Sequence, residues 1–542
     1  MPEYLTPGVH IKEISAGPKP IEGVGTSTAG MLGLTERGPV GVRLVTNLGE
    51  FRRYYGGYLK ESYLPAAVEG FFGNGGTRCF IARIISASAD SAQADLGGIF
   101  LRAVGPGTWG NNVGLMIMNS NADSSTDPLL PNAGSKTFNM VIAYWKNPMP
   151  DFTVIPALTA GATPGEIKSW KKAVGDLLDK ADVVESFDDL SITASSPNFF
   201  GKVIDSRSFL IKVTKTSDPD DEDKPDSDLT ERPDNTATFL FLTGGAQPGS
   251  LASLDDFKGD PAADAGKKRG LEAFREVDAI NIVYCPDIHW SGIADKQALQ
   301  NAVKDHCESM KDRFAILDSS QGESVIPRIQ NPVDSSFAAF YYPWIKVYDP
   351  LLKDRRLVPP GGFVAGIYAR TDIERGVHKA PANEIVKGAL ELEFLISKGQ
   401  QDILNPKGIN VIRQFPGRGI RIWGARTASS DPEWRYVNVR RLFLYVEESI
   451  KKGTQWVVFE PNNEQLWVRV KQSITNFLTT VWRDGALMGS KPEQAFFVDI
   501  GFNTMTPADL NNGTLICMIG IAPIKPAEFM FFRVYQKTLE VK

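Results

Sequence analysis

A chain of 542 residues is too long for one hydrophobic core, which predicts two to four domains. With 42% hydrophobic residues, 23% charged residues and a net charge of −5, it reads as ordinary soluble globular protein, and the balance argues against a general nucleic-acid binder, so any basic function would have to be local. Cys79, Cys285, Cys307 and Cys517 lie far apart without CxxC spacing, against a disulfide framework or structural zinc and for reduced, buried thiols.

In chain order, the opening MPEYLTPGVHIKEI carries Glu3, Lys12 and Glu13 and no apolar run, so it is not read as a secretory signal. No stretch approaches 18 apolar residues, and no membrane insertion is expected. After Pro7-Gly8, Val9, Ile11 and Ile14 give a strand-like character. Next comes Gly25-Thr26-Ser27-Thr28-Ala29, similar to the nucleophile motif of subtilisin-like serine proteases. Only His10 precedes Ser27, however, while His289, His306 and His378 all follow it, so a small-residue turn is the better reading.

Residues 23–90 alternate as α/β: an apolar glycine-rich stretch, two helix-like stretches (NLGEFRRYYGGY, LPAAVEGFFGNGG) and a strand, CFIARII. Residues 91–240 change character, with short strands such as FNMVIAYW and SFLIKVTK between Pro- and Asp-rich loops, and read as a β-rich insertion. From 241 to 400 the alternation returns with strand INIVYCP, helix DKQALQNAVKDHCESM and strand FAILD. Beyond 401, strands (GINVIRQF, GIRIWGAR, QWVVFEP) alternate with helices. One helix, about 463–482, buries Trp467, Val470, Ile474, Phe477 and Val481, with Asn462 or Asn463 as its cap. Its other face, with Arg469, Gln472, Asn476 and Arg483, is solvated by default and free to dock a partner. The chain closes on PAEFMFFRVYQKTLEV, with Phe529, Phe531 and Tyr535 on one face of a strand and Met530, Phe532 and Val534 on the other. A strand apolar on both faces needs cover on both. These ends either pair within their own domain, which the residues alone favour, or add to a neighbour's sheet.

The remaining motifs carry little chemistry. No HExxH or comparable ligand spacing appears, so no metal is expected. An EF-hand frame from Asp218 puts Asp223 where glycine is needed and Leu229 where the bidentate Glu belongs, which leaves a solvated acidic loop. Gly73-Asn74-Gly75-Gly76 lacks the Lys and Ser/Thr of a phosphate loop, and no cofactor is expected. Arg413, Arg418, Arg421, Arg426, Arg435, Arg440 and Arg441 are interleaved with Phe415, Trp423, Trp434 and Tyr436, a pattern common to nucleic-acid grooves and protein hot spots.

The stretch from Phe415, with Asn405-Pro406-Lys407-Gly408-Ile409-Asn410, resembles the C-terminal domain of contractile tail sheath proteins. Other pieces agree in order: Tyr4-Leu5-Thr6-Pro7-Gly8-Val9, AVEGFFGNGGTRCFIARI at 67–84, PGTWGNN at 106–112, LTGG at 242–245, PPGGFVAGIYARTDIERGVHKAPAN at 359–383, FEPNNEQLW at 459–467 and PAEFMFFRVYQ near the end. His378 stands where Trp is expected. The resemblance covers nearly the whole chain except about 113–235.

The resemblance implies a non-enzymatic subunit, α/β and α+β multidomain in class. Residues 23–90 with 241–400 would form a core α/β domain similar in fold to subtilisin but non-catalytic, and 91–240 an outward-facing insertion. Residues 401–525 would be a C-terminal domain facing an inner tube. Residues 1–22 and 526–542 would be strand-exchange arms, with Val9, Ile11, Ile14, Phe529, Phe531, Val534 and Tyr535 completing sheets of neighbouring subunits. The seven arginines would make ion pairs within and between subunits, and Arg418, Arg421, Arg426, Arg435, Arg440, Arg469 and Arg483 are the candidates for interfaces or tube-facing positions. The implied partners are copies of the chain in stacked hexameric rings, an inner tube protein, and baseplate and terminator or cap proteins. No direct nucleic-acid contact is implied. Assembly would occur in the cytoplasm, into a phage tail or an injection-system particle. The alternative is a subtilisin-like serine hydrolase using Ser27.

Overall fold

The structure is a computed structural model that describes residues 20–97, 99–121, 123, 134–159, 161–214, 227–247 and 252–530. They form two compact units, one of residues 27–370 with 381–435, the other described over 20–26, 371–380 and 436–530. Val9, Ile11, Ile14, Phe531, Val534 and Tyr535 lie outside the described residues.

The first unit is built on an eight-stranded sheet. Its strands are β1 (Ala29–Leu34), β2 (Arg43–Val45), β3 (Cys79–Ile84), β4 (Ile282–Tyr284), β5 (Phe314–Asp318), β6 (Ala338–Tyr342), β7 (Ile409–Phe415) and β8 (Gly419–Ile422), in the order β8-β7-β6-β5-β4-β1-β3-β2. All neighbours are parallel except the two edge strands, β2 on β3 and β8 on β7. Every residue of β1, β5 and β6 is buried, as expected of parallel strands covered on both faces. The accompanying helices include α1 (Leu48–Tyr55), α2 (Leu64–Gly73), α3 (Lys296–Met310) and α4 (Gly361–Arg375). The Asn47 and Asp295 side chains accept from the backbone N–H of Glu50 and Ala298, which caps α1 and α3.

Between β3 and β4 runs the β-rich insertion. It holds an antiparallel four-stranded sheet (Leu240–Phe241, Val113–Asn119, Thr137–Tyr144, Val183–Ser191) and a three-stranded one (Gln93–Asp95, Phe100–Ala103, Ile211–Thr214). Trp145 and Trp170 anchor one apolar cluster against the helix Pro164–Leu178. The insertion is tied to the sheet domain by a buried carboxylate, Glu36, whose side chain is 8% exposed. Glu36 accepts from Tyr144 Oη at 2.8 Å and Lys146 Nζ at 2.9 Å. Burial works to raise its pKa, but the Gly57 N–H and Lys146 outweigh burial and hold it low. Beside this contact the Tyr54 and Phe209 rings meet edge-on at 4.6 Å, flanked by Arg43 over Tyr54 and Arg53 over Phe209.

The C-terminal domain expected from 401 does not start there. β7 pairs in parallel with β6 and β8 closes a hairpin on it, so residues 409–422 complete the central sheet, and the division falls after Arg435. Strand alternation alone reveals no sheet membership, which is why the sequence misplaced it. QWVVFEP, expected as a strand, is a single 3-10 turn at Gln455–Val457 leading into irregular chain.

The second unit packs α5 (Val437–Gly453) and α6 (Glu464–Arg483) with a two-stranded antiparallel sheet, β9 (Phe496–Ile500) and β10 (Cys517–Ile521). The α6 stripe lies in the core as its periodicity requires: Trp467, Val470, Ile474, Phe477 and Val481 join Leu442 and Val446 of α5. Of the two candidate caps, Asn463 accepts from Leu466 N at 3.0 Å.

Candidate functional site

The arginine-rich stretch does not form one groove. Arg413, on β7, donates to Ile396 O and Gln401 Oε1 and stacks on Phe415. Arg418, exposed in the β7–β8 turn, donates to Asn383 Oδ1, and Arg421 on β8 donates to the carbonyls of Arg418 and Asn383. Arg426 NH1 donates to Asn405 O. The hydrogen bonds traced here go to neutral oxygens and brace the β7–β8 hairpin against neighbouring chain. Arg435 is exposed, while Arg440 lies on α5, where burial lowers its pKa.

Arg441 makes a buried two-pronged carboxylate pair. Its NH1 and NH2 donate to Asp372 Oδ1 and Oδ2 at 2.9 and 2.6 Å, and both side chains are 3% exposed. Thr26 completes the group: its Oγ1 donates to Asp372 Oδ2 at 2.7 Å, and its carbonyl accepts from Arg441 NH2 at 2.9 Å. Arg469 is exposed on α6, over the Trp456 ring and 3.3 Å from Glu460, and Arg483 is exposed at the end of the same helix.

The β9–β10 sheet is the surface the sequence reading missed. Phe496, Val498 and Ile500 turn inward, while Phe497 is 57% and Met518 54% exposed. Among the described residues no further strand pairs with either outer edge. Two strands with exposed apolar side chains and edges unpaired among the described residues form a template for a third. The signal was present in the doublet Phe496-Phe497, which puts an aromatic ring on the outer face beside Asp499. Phe529 and Met530 are also exposed, at 66% and 76%, and lie in no strand.

The catalytic candidates are spread apart. Ser27 precedes β1, whereas His289 follows the end of β4, and the two strands run parallel, with Ala29 opposite Ile282. Serine and histidine therefore sit beyond opposite ends of the sheet. His306 lies in the middle of α3 with its ring nitrogen 3.3 Å from Arg313, and burial lowers its pKa to about 3. At the carboxyl ends of the strands a polar group is fully enclosed. Asp287 accepts from the N–H groups of Leu34 and Tyr63 and from Ser62 Oγ, and Asp318 accepts from Tyr284 Oη and Gly361 N–H. Burial raises these two carboxyls to about 6 and about 7, and lowers His289 to about 3. Among the described residues no cluster of three His, Cys, Asp or Glu side chains could hold a metal ion, and no helix is long and apolar enough to cross a membrane.

Two family models match the chain, the phage tail sheath protein central domain over residues 262–428 and the phage tail sheath C-terminal domain over 429–537, together about half of it. The tail sheath protein of Burkholderia phage BcepMu is 29% identical over 295 residues, covering 47% of this chain and 60% of that one. A putative prophage major tail sheath protein of Pseudomonas aeruginosa strain UCBPP-PA14 is 26% identical over 278 residues, covering 50% and 69%. Aligned stretches thus span roughly two thirds of these relatives' own length. Among solved structures, the contracted sheath complex of the extracellular contractile injection system PVC superposes with a TM-score of 0.56 at 22% identity, covering 99% of each chain. The contracted helical sheath of the anti-feeding prophage gives 0.55 at 23% identity, covering 99% of this chain and 100% of that one.

Proposed function

The chain belongs to the phage tail sheath family, and from that premise we propose that it is the structural subunit of a contractile sheath that polymerises around an inner tube and shortens to drive the tube through a target envelope. The observation that carries this reading is the β9–β10 sheet, with Phe497 and Met518 exposed on its outer face and no further strand paired to it among the described residues, in a unit whose described terminal segments lie in no strand. In this reading residues 1–22 and 526–542 are arms that complete the β9–β10 sheets of neighbouring copies, through Val9, Ile11, Ile14, Phe529, Phe531, Val534 and Tyr535. Subunits form stacked hexameric rings, and the exchanged strands keep them tethered while the bodies rotate.

The extended sheath is a kinetically trapped polymer, and release at one end lets each ring bias the next into a shorter, wider state. The free energy is stored at assembly, so the subunit needs no catalysis. The central sheet domain resembles subtilisin in fold only, and Ser27 is not a nucleophile. The exposed Arg418, Arg435, Arg469 and Arg483 are the arginines available to the inner tube or to neighbouring subunits, and the more enclosed Arg421, Arg426 and Arg440 support them. The other partners are baseplate and terminator proteins. Assembly takes place in the cytoplasm, and the particle is a phage tail or an injection system.

The test is electron microscopy of the purified chain, alone and with its cognate tube and baseplate. Rings or tubes of sixfold symmetry support the proposal. A chain that stays monomeric even on its tube and baseplate rejects it.

A further inference from the structure

Residues 21–26 lie along one face of α5, and each contact point on the helix is four residues from the next. Thr26 meets Arg441, through its carbonyl at 2.9 Å. Gly23 meets Tyr445, where a Cβ on the glycine would fall 2.1 Å from Tyr445 Oη. The Val24 N–H donates to Ser449 Oγ at 3.1 Å. Ile21, 8% exposed, covers Gly453, where a Cβ would fall 2.7 Å from Ile21 Cγ1. The chain runs antiparallel to the helix, and the lengths agree. Twelve helical residues from 441 to 453 rise ~18 Å, and five extended steps from 26 to 21 span ~17 Å. The two ends of the contact therefore match in length, while Gly23 on Tyr445 and Val24 on Ser449 cross in its middle.

The opposite end of α5 holds the other terminal segment. Asn438, 2% exposed, donates from Nδ2 to Ile524 O at 3.1 Å and to His378 O at 2.8 Å. Tyr436 Oη donates to Glu528 Oε2 at 3.2 Å.

We infer that α5 is a common spine for the two arms, with residues 21–26 seated as a strap on Arg441, Tyr445, Ser449 and Gly453, and residues 524–528 held at Tyr436 and Asn438. The arms leave from points fixed ~25 Å apart on one hydrogen-bonded rod. Pull on one arm passes along α5 to the other, and the α6 core that Ile21 and Tyr445 join shares that load. Ser449 and Gly453 are positioning residues for the N-terminal arm, and the strap stays seated while subunits join. This inference rests on the strand-exchange reading above.

The experiment uses the full chain, assembled with its cognate tube and baseplate, and two variants. Ser449→Ala removes the acceptor of the Val24 N–H. Hydrogen exchange at Val24 is expected to speed up roughly tenfold, and the half-life of assembled sheath in dilute urea to fall by a similar factor. Faster exchange with an unchanged half-life overturns the inference, because the strap would then bear no load. In Ile21→Cys/Gly453→Cys the strap is locked: a Cβ at 453 falls 2.9 Å from Ile21 Cβ, close enough for a disulfide after small adjustment. The oxidised protein is expected to assemble as the wild type does. If it assembles only after reduction, the strap has to peel away, and the inference is wrong. Wild-type chain that never assembles removes the sheath reading, and this inference with it, whatever exchange at Val24 shows.

Discussion

Arg441 and Asp372 are enclosed together, so their pairing matters for what its loss would leave behind more than for what it adds. Arg441→Met leaves the Asp372 carboxylate with Thr26 Oγ1 as its remaining donor in this group, and it is expected to destabilise the second unit by about 3–5 kcal/mol, read by chemical denaturation. Arg441→Lys should recover only part of that, because an ammonium cannot grip both carboxylate oxygens in the plane of the pair. Asp318 gives a pH signature. Burial raises its carboxyl from 3.8 to about 7, and its neighbours are Tyr284 Oη, the Gly361 N–H and neutral His289. A raised acid favours the native state while protonated, so its contribution is complete below about pH 4 and disappears as pH climbs to about 7. Asp318→Asn abolishes that dependence. The thermal midpoint of the variant minus that of the wild type should rise between pH 4 and 7 and then level off; a flat difference would count against the raised carboxyl. Lowered His289 and His306 titrate in both proteins and cancel in the comparison.

Among the elements, α6 shows how far periodicity reaches. Its stripe at 467, 470, 474, 477 and 481 is buried, and Asn463 caps it, as the spacing requires. β7 and β8 were legible as strands but not as members of the central sheet, since partner choice depends on tertiary contacts that alternation does not encode. The arginine stretch misled for the same reason. Neighbours in sequence from 413 to 441 are divided among a strand, a turn, a second strand, the irregular chain after it and a helix, and most of the donors traced go to carbonyls and amides. The stripe 441, 445, 449, 453 was invisible because it pairs Arg, Tyr, Ser and Gly, which no hydrophobic pattern selects. For the β9–β10 sheet, Phe497→Lys and Met518→Lys change exposed positions, so the unfolding free energy of the single chain should move by no more than ~0.5 kcal/mol. Assembly should nonetheless fail, because a charge is placed where an added strand must pack. Sedimentation of wild type and variants at equal concentration checks this, and normal assembly of both variants would show that the sheet is not the docking edge.

For the whole molecule, the arrangement of the central sheet speaks against hydrolysis. Ser27 and His289 belong to opposite ends of parallel strands, so a serine-reactive fluorophosphonate probe is expected to leave Ser27 unmodified. Labelling that Ser27→Ala abolishes would revive the hydrolase. The insertion is held by Glu36 and by the Tyr54–Phe209 contact, an arrangement of residues far apart in sequence that no single stretch announces. The open β9–β10 sheet has a consequence for size. A subunit that offers an edge and also carries a segment to fill one makes a head-to-tail contact, and such contacts do not saturate unless the rotation closes. In the proposed stack that contact repeats from ring to ring without setting an end. On that proposal, how long the finished particle grows is information held by some other molecule, and the subunit is as indifferent to it as a link is to the length of its chain.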